Sequence, residues 1–154
     1  MDKKYLASRI ATANDAGLVA ILYEGLMDEI KEAIVCIDNQ NKASFEKAIE
    51  KGKNILAELV ITLKGDSEIS KNLRSLYIYV NHLITLGQLN REKKKLQEAI
   101  HVLMPLYDGW KQLEQHEFEK REKSSRPQIM TGATYGKGQL NDYVMNHENQ
   151  WGRG

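Results

Sequence analysis

The sequence predicts an all-α protein: an antiparallel, up-down-up-down bundle of four helices with an N-terminal lid segment and a C-terminal tail. The first observation behind this is that apolar residues recur every three or four positions before residue 120, which is the period of one helix face. The second is that only two prolines occur, Pro105 and Pro127, so long helices meet no obligatory breaker before residue 105. The third is that short polar breaks separate the apolar repeats, and short connections make neighbouring helices antiparallel.

The first predicted helix covers residues 15–39. Asn14 is suited to cap its free amides, and Asp15 places a negative charge at the positive end of the helix dipole. The apolar face of this helix consists of Leu18, Ile21, Leu22, Gly25, Leu26, Ile30, Ala33, Ile34 and Ile37. Further apolar residues lie beside this face, namely Val19, Ala20, Tyr23 and Met27.

Polar residues 38–41 end the first helix, and a second helix runs to Leu63 with the same apolar spacing. Gly65 is predicted to adopt the left-handed conformation that caps helix C-termini. Ser67 is predicted to cap the N-terminus of a third helix, which ends near Asn90. That helix carries apolar residues outside its main face, namely Ile78, Tyr79 and Leu86. Because one core cannot hold this apolar surplus in both helices, the sequence predicts a groove for a partner helix.

The fourth helix is predicted to open at Glu92 and to reach Lys123. Its apolar seam alternates steps of three and four, as in helices that pack in a bundle. The seam consists of Leu96, Ala99, Leu103, Leu106, Trp110 and Leu113. A bend is expected in the turn before Pro105, because proline removes a backbone hydrogen bond. Glycines become frequent after residue 123, so the chain is predicted to divide into a bundle domain, 1–123, and a tail, 124–154.

Composition excludes several classes of function. The net charge of +1 gives no general attraction to nucleic acid, and no apolar run reaches the length of a membrane span. The start of the chain lacks the pattern of a secretory signal peptide. The single Cys36 lies within an apolar helical pattern, as expected of a buried thiol in a reducing compartment. We therefore expect a cytoplasmic protein that neither binds nucleic acid nor inserts into membranes.

The residues do not predict a catalytic or metal centre. Glu98 and His101 have the Glu-x-x-His spacing of di-iron bundles, but the pattern occurs once and such a site needs it twice. Residues 132–138 are glycine-rich like a phosphate-binding loop, but the glycine spacing is one residue short and no Ser or Thr follows Lys137. We expect no enzymatic activity, no cofactor and no metal.

Two groups of residues follow a recognisable order and spacing. The first group consists of Tyr5, Ile10, Thr12-Ala13, Leu18-Val19 and Leu22-Tyr23-Glu24-Gly25. The second consists of Asn54-Ile55, Glu58-Leu59, Thr62-Leu63, Asn72-Leu73, Leu76-Tyr77, Tyr79, Leu103, Leu106 and Trp110. Together they resemble the FliS family of flagellar secretion chaperones over residues 4–115. The pattern departs from that family at Gly17, where a Glu is common, and at Asn14-Asp15, which replace Ser-Pro.

The resemblance implies a cytoplasmic chaperone that works without ATP and holds the C-terminal segment of flagellin until export, so that flagellin does not polymerise early. A component of the export gate is a second implied partner. We expect the client surface to be apolar, to be partly shared with the core, and to consist of Tyr5, Ile10, Leu22, Leu26, Ile55, Leu59, Leu73 and Tyr77. The alternatives are a helical-bundle adaptor or regulator with another amphipathic client helix and, more distantly, a ferritin-like enzyme.

Both ends of the chain carry apolar residues outside the four predicted helices. Near the N-terminus these are Tyr5, Leu6 and Ile10, and we expect this segment to act as a lid on the client groove that the client displaces. In the tail they are Leu140, Tyr143, Val144 and Trp151, the first three of which are spaced for a short amphipathic turn. We expect the tail to dock on the chain's own groove or on a neighbouring copy, which would give a homodimer without client.

Overall fold

The computed structural model describes residues 3–125, which form five α-helices. They are α1 (Lys3–Thr12), α2 (Asp15–Asp38), α3 (Lys42–Thr62), α4 (Glu68–Asn90) and α5 (Lys93–Ser125). Residues 3–125 contain no strand, so the predicted all-α class is confirmed. In the same range no helix is both long and apolar enough to cross a membrane. The number of helices differs from the prediction because the N-terminal segment forms α1, and the predictions for the tail after Ser125 fall outside the described residues.

Side-chain caps fix where three of the helices begin. The side-chain oxygen of Asn14 accepts a hydrogen bond from the N–H of Gly17 at 2.8 Å and caps α2. Asn41 caps α3 in the same way, and the hydroxyl of Ser67 accepts from the N–H of Ser70 to cap α4. The predicted caps at Asn14 and Ser67 are thus confirmed, and each satisfies an amide that no helical carbonyl can reach.

The predicted C-terminal cap at Gly65 is wrong. Helix α3 ends at Thr62, and Leu63 leaves it in an extended conformation (φ −78°, ψ 122°). Gly65 has a positive φ of 82°, but it lies in the turn between α3 and α4, where glycine adopts this conformation without strain. The left-handed cap occurs instead at Arg91 after α4 (φ 49°, ψ 48°), which donates its N–H to the carbonyl of Gly87.

Helix α2 packs against several other helices. It lies against α3, α5 and α1, while α4 lies against α3 and α5. Four residues predicted to lie beside the core face of α2 are in the core: Val19, Ala20, Tyr23 and Met27. Leu18, which was predicted to lie on that face, is 38% exposed. Leu26, Ile30 and Ala33 of the predicted face are in the core as well, so the core of α2 is wider than predicted. The expectation that one core cannot hold the additional apolar residues of this helix is wrong, because the apolar period of a helix does not show how many helices surround it.

Helix α5 continues through Pro105 to Ser125, two residues beyond its predicted end. Most of its predicted seam is buried, namely Leu96, Ala99, Leu103 and Trp110. This confirms that the seam faces the core, whereas the bend before Pro105 stays a prediction. At the start of α5, Leu96 packs tightly against α4: a Cβ atom added to Gly87 would lie 2.7 Å from Cδ2 of Leu96. Gly87 therefore allows α4 and α5 to approach closely.

Candidate functional site

The eight residues predicted to bind a client occupy three kinds of position. Tyr5 and Ile10 lie on α1 and are 58% and 47% exposed. Leu22 on α2 and Ile55 on α3 are half-buried. The other four are core residues, 0–8% exposed, namely Leu26, Leu59, Leu73 and Tyr77. In this conformation only the first four can touch a partner, and the core residues support that surface from below.

Part of the predicted set forms an apolar strip between α2 and α3. We name Leu18, Leu22, Gly25 and Ile55 the α2–α3 strip. Leu18, Leu22 and Gly25 are spaced i, i+4 and i+7, so they share one face of α2. A Cβ atom added to Gly25 would lie 3.4 Å from Cδ1 of Ile55, which shows that Ile55 reaches α2 at the glycine. Because Gly25 has no side chain, the strip is shallow at this point and suits the apolar face of a helix.

Tyr77 has a structural role in the core. Its hydroxyl lies 2.7 Å from that of Tyr23, and the two rings meet edge to face with centroids 6.2 Å apart. Burial raises the pKa of both hydroxyls. The ring of Trp110 on α5 lies 6.5 Å from that of Tyr23, so the cluster joins α2, α4 and α5. Tyr23 was not among the predicted site residues, since a bond between positions 54 residues apart leaves no local pattern.

Three side chains, which we name the α1 clasp, tie α1 to α2 and α5. Arg9 donates two hydrogen bonds to the carboxylate of Glu24, at 2.7 and 2.8 Å. The hydroxyl of Tyr107 donates to the same carboxylate at 2.9 Å. The hydrogen bonds from Arg9 hold the pKa of Glu24 below its ordinary value. Burial, with the bond to Glu24, raises the pKa of Tyr107 to about 12.

Apart from the clasp, α1 is weakly anchored. None of its residues is buried, and it packs against α2. Its apolar residues Tyr5 and Ile10 remain largely exposed. Separation of α1 from the rest of the protein would therefore expose little additional apolar surface, which is the property of an element that opens at low free energy.

At Gly17, where the family pattern commonly has a Glu, a carboxylate from α5 lies beside α2. A Cβ atom at Gly17 would require the carboxylate of Glu114 on α5 to move. Glu114 is held in place because its backbone carbonyl accepts from the side chain of Asn14 at 3.2 Å and its carboxylate accepts from Lys111 at 2.8 Å. A negative charge thus reaches the N-terminal end of α2, where the helix dipole favours it, but it comes from α5.

A second carboxylate at this end, that of Glu117, is buried on α5. Burial raises its pKa, and the charge of Asp15 raises it further. Because the folded protein binds this proton more tightly than the unfolded chain, ionised Glu117 destabilises the fold at neutral pH. This cost fades as the pH falls from the folded towards the unfolded pKa. We therefore expect Glu117→Gln to raise the free energy of unfolding at neutral pH, and to lose this advantage near pH 4, about the pKa of an unfolded glutamate.

Urea denaturation of both proteins at the two pH values measures this difference. The matched control is Glu119→Gln, on the same helix but exposed, for which we expect a change within about 0.5 kcal/mol. An equal gain for Glu117→Gln at both pH values would show that ionisation of Glu117 is not its cause.

The described residues do not assemble a metal centre. Within residues 3–125, no three or more His, Cys, Asp or Glu side chains are placed to hold a metal ion. Of the Glu-x-x-His pair, Glu98 lies 3.7 Å from the ammonium of Lys95, and His101 is exposed. The glycine-rich residues 132–138 lie outside the described residues.

Comparison with known proteins extends the likeness over most of the chain. The model of a family described as flagellar protein FliS matches residues 1–117. The flagellar secretion chaperone FliS of Bacillus subtilis is 27% identical over 120 residues, which cover 78% of this chain and 90% of that protein. Its counterpart in Campylobacter jejuni is also 27% identical, over 73% of this chain and 94% of the relative. The Escherichia coli protein of the same name is 23% identical over 68% of this chain and 79% of its own length. Since the family match extends over most of the chain and includes all eight predicted site residues, this chain belongs to the FliS family of flagellar secretion chaperones.

Proposed function

We propose that this protein binds the C-terminal segment of flagellin in the cytoplasm and prevents its polymerisation before flagellar type III export. The observation that carries the proposal is the α2–α3 strip, an apolar surface with a shallow centre on a member of a chaperone family. Membership in that family also implies a role without catalysis.

The proposal includes an architecture in which α2 to α5 form an up-down-up-down four-helix bundle and α1 is its lid. Residues 39–41, 63–67 and 91–92 are connections too short to cross the length of a helix, which favours antiparallel neighbours. Each long helix packs against the next, and α5 packs against α2. Glu24 of the clasp directly precedes Gly25, so the clasp and the α2–α3 strip lie at one level of α2.

In this mechanism the chaperone works by occupancy. An amphipathic helix of the client lays its apolar face on Leu22 and Ile55 and against the gap above Gly25. The buried Leu26 and Tyr77 keep this surface in shape, so binding orders few further side chains. Apolar segments that would otherwise associate with other flagellin molecules are covered, and a component of the export gate receives the client when it dissociates.

The direct test is a calorimetric titration of the purified protein with the flagellin C-terminal segment at low and high salt. Because binding rests on apolar burial, we expect a negative heat-capacity change and an affinity that varies less than about tenfold with salt. A loss of affinity of several tens-fold at high salt would contradict an apolar interface. Binding of other amphipathic helices but not of flagellin would favour the alternative, an adaptor or regulator with a different client.

Hydrogen exchange of α1 tests the lid. In the free protein we expect the amides of residues 7–12 to be protected, because they lie within a helix held by the clasp. Glu24→Gln removes the negative charge that pairs with Arg9. Loss of a partly exposed ion pair costs on the order of 1 kcal/mol, so α1 should open more easily and its amides should exchange about fivefold faster. Binding of the flagellin segment should accelerate it in the same way.

The matched control is Asp28→Asn, one turn farther along α2 and exposed, which should leave exchange in α1 unchanged. If α1 shows no protection in the free protein, or if client binding slows its exchange, the lid role is wrong.

A further inference from the structure

A second apolar surface lies on α3 and α4, away from the α1 clasp. Val60 and Ile61, on the last turn of α3, are 36% and 69% exposed, and Ile78 on α4 is 64% exposed. We name these residues the α3–α4 strip. Neither the residues predicted to bind the client nor the core includes any of them.

Two hydrogen bonds give the relative direction and the approximate register of α3 and α4. Lys53 donates to the hydroxyl of Thr85 at 2.9 Å, and Gln88 donates to Glu46 at 2.8 Å. Residue numbers therefore rise along α3 as they fall along α4, and the helices are antiparallel. Continued along α3 from Lys53, this order places the last two turns of α3 near the level of Ile78.

The chain leaves the described residues at the end of the protein where this strip lies. Glu114 of α5 is bonded to Asn14 at the start of α2, and Ile55 of α3 meets Gly25 in the first half of α2. The last turn of α3 and the second half of α5 therefore lie at the same end. The final eleven residues of α5 extend about 16 Å beyond Glu114 at the rise of a helix, so the described part of the chain finishes beyond this end of the protein.

The remaining chain is long enough to return to the strip and has the chemistry to cover it. Residues 126–154 span as much as about 95 Å when extended, whereas Ile78 lies ten residues, or about 15 Å, into α4. Their sequence places Leu140, Tyr143 and Val144 close together, with Trp151 beyond. The family match ends at residue 117, so this segment belongs to the part of the chain that the family pattern does not account for.

We propose that residues 139–151 bind the α3–α4 strip of the same molecule and shield it from water. Apolar side chains of the segment meet Ile61 and Ile78, and closing a loop of this length adds little entropic cost compared with shorter loops. The occupant is the chain's own C-terminal segment, because it starts at the right end, reaches the strip and carries matching apolar residues. This interaction does not depend on flagellin or on the α2–α3 strip.

Hydrogen exchange of the full-length protein without client tests the proposal. We expect amides within residues 139–151 to exchange at least about tenfold more slowly than in the same segment as a free peptide. In the double variant Ile61→Asp/Ile78→Asp this protection should fall to within about twofold of the peptide. The matched control is Val35→Asp, a similarly exposed position on α2, which should keep the protection. A reciprocal variant, Leu140→Ser/Val144→Ser, leaves all five helices untouched and should lose the protection as well.

Absence of protection in the wild-type chain would overturn the proposal. Protection that survives both double variants would overturn the assignment to this strip. Light scattering at several protein concentrations distinguishes binding within one molecule from binding between two copies. Protection that appears only together with a doubled mass would place the segment on a second copy and overturn the proposal.

Discussion

Leu22→Asp combined with Ile55→Asp is expected to weaken binding of the flagellin C-terminal segment by about 30-fold or more. Both side chains belong to the α2–α3 strip: Ile55 reaches α2 at Gly25, and Leu22 lies about one turn before that glycine on α2. Losing two apolar contacts of about 1 kcal/mol or more each accounts for an effect of this size. Isothermal titration calorimetry with the wild-type protein and the variant measures it.

Both positions are half-buried, so the variant must first be shown to be folded by circular dichroism and thermal melting. Val35→Asp is the matched control, since Val35 is an exposed apolar residue of α2 outside the α2–α3 strip. The affinity of this variant for the flagellin segment should stay within about twofold of wild type. Wild-type affinity in a folded double variant would exclude the α2–α3 strip as the client surface.

The largest effect on stability is expected from the buried pair Tyr23 and Tyr77. Tyr23→Phe leaves the buried hydroxyl of Tyr77 without its partner, which costs about 1–3 kcal/mol. Tyr77→Phe should cost less, because the hydroxyl of Tyr23 keeps its hydrogen bond with Trp110. Replacing both removes the two polar groups together, so the double variant should be destabilised by less than the sum of the single variants. Urea denaturation of the four proteins gives the coupling energy of the pair.

Tyr79→Phe provides the control, because Tyr79 is an exposed tyrosine on the same helix and should change stability by less than about 0.5 kcal/mol. Additive effects of the two buried replacements would mean that the hydrogen bond between the hydroxyls contributes nothing to the folded state.

The features of the fold that the sequence predicts correctly depend on residues that are close together in the chain. The caps at Asn14 and Ser67 each involve an amide three residues away, so the local sequence is sufficient to find them. The cap at Gly65 failed because positive φ favours glycine in any turn, whether or not a helix ends there. Helix α1 was missed because none of its residues is buried, so it lacks the apolar face by which helices are recognised.

The candidate site also combines features that depend on neighbouring residues with features that depend on distant ones. The sequence placed Leu22 and Leu26 on one apolar face, yet one is half-buried and the other is fully buried. The difference depends on where α3 and α5 lie around α2, which periodicity along one helix does not contain. The clasp was missed for a similar reason, because Glu24 meets one partner 15 residues away and another 83 residues away.

The packing of α5 against α2 has a consequence for the order in which the protein folds. The pairs α2–α3, α3–α4 and α4–α5 each join helices that are consecutive in the chain, so their packing closes only short loops and is fast. The α2–α5 interface instead joins distant parts of the chain: Asn14 and Glu114 are 100 residues apart. Bringing them together first would require closure of a loop spanning most of the helical region, at a higher entropic cost. We therefore expect this interface, including the bond from Tyr107 to Glu24, to form after the contacts between consecutive helices, so that a newly made chain completes its α1 clasp only when α5 has been added.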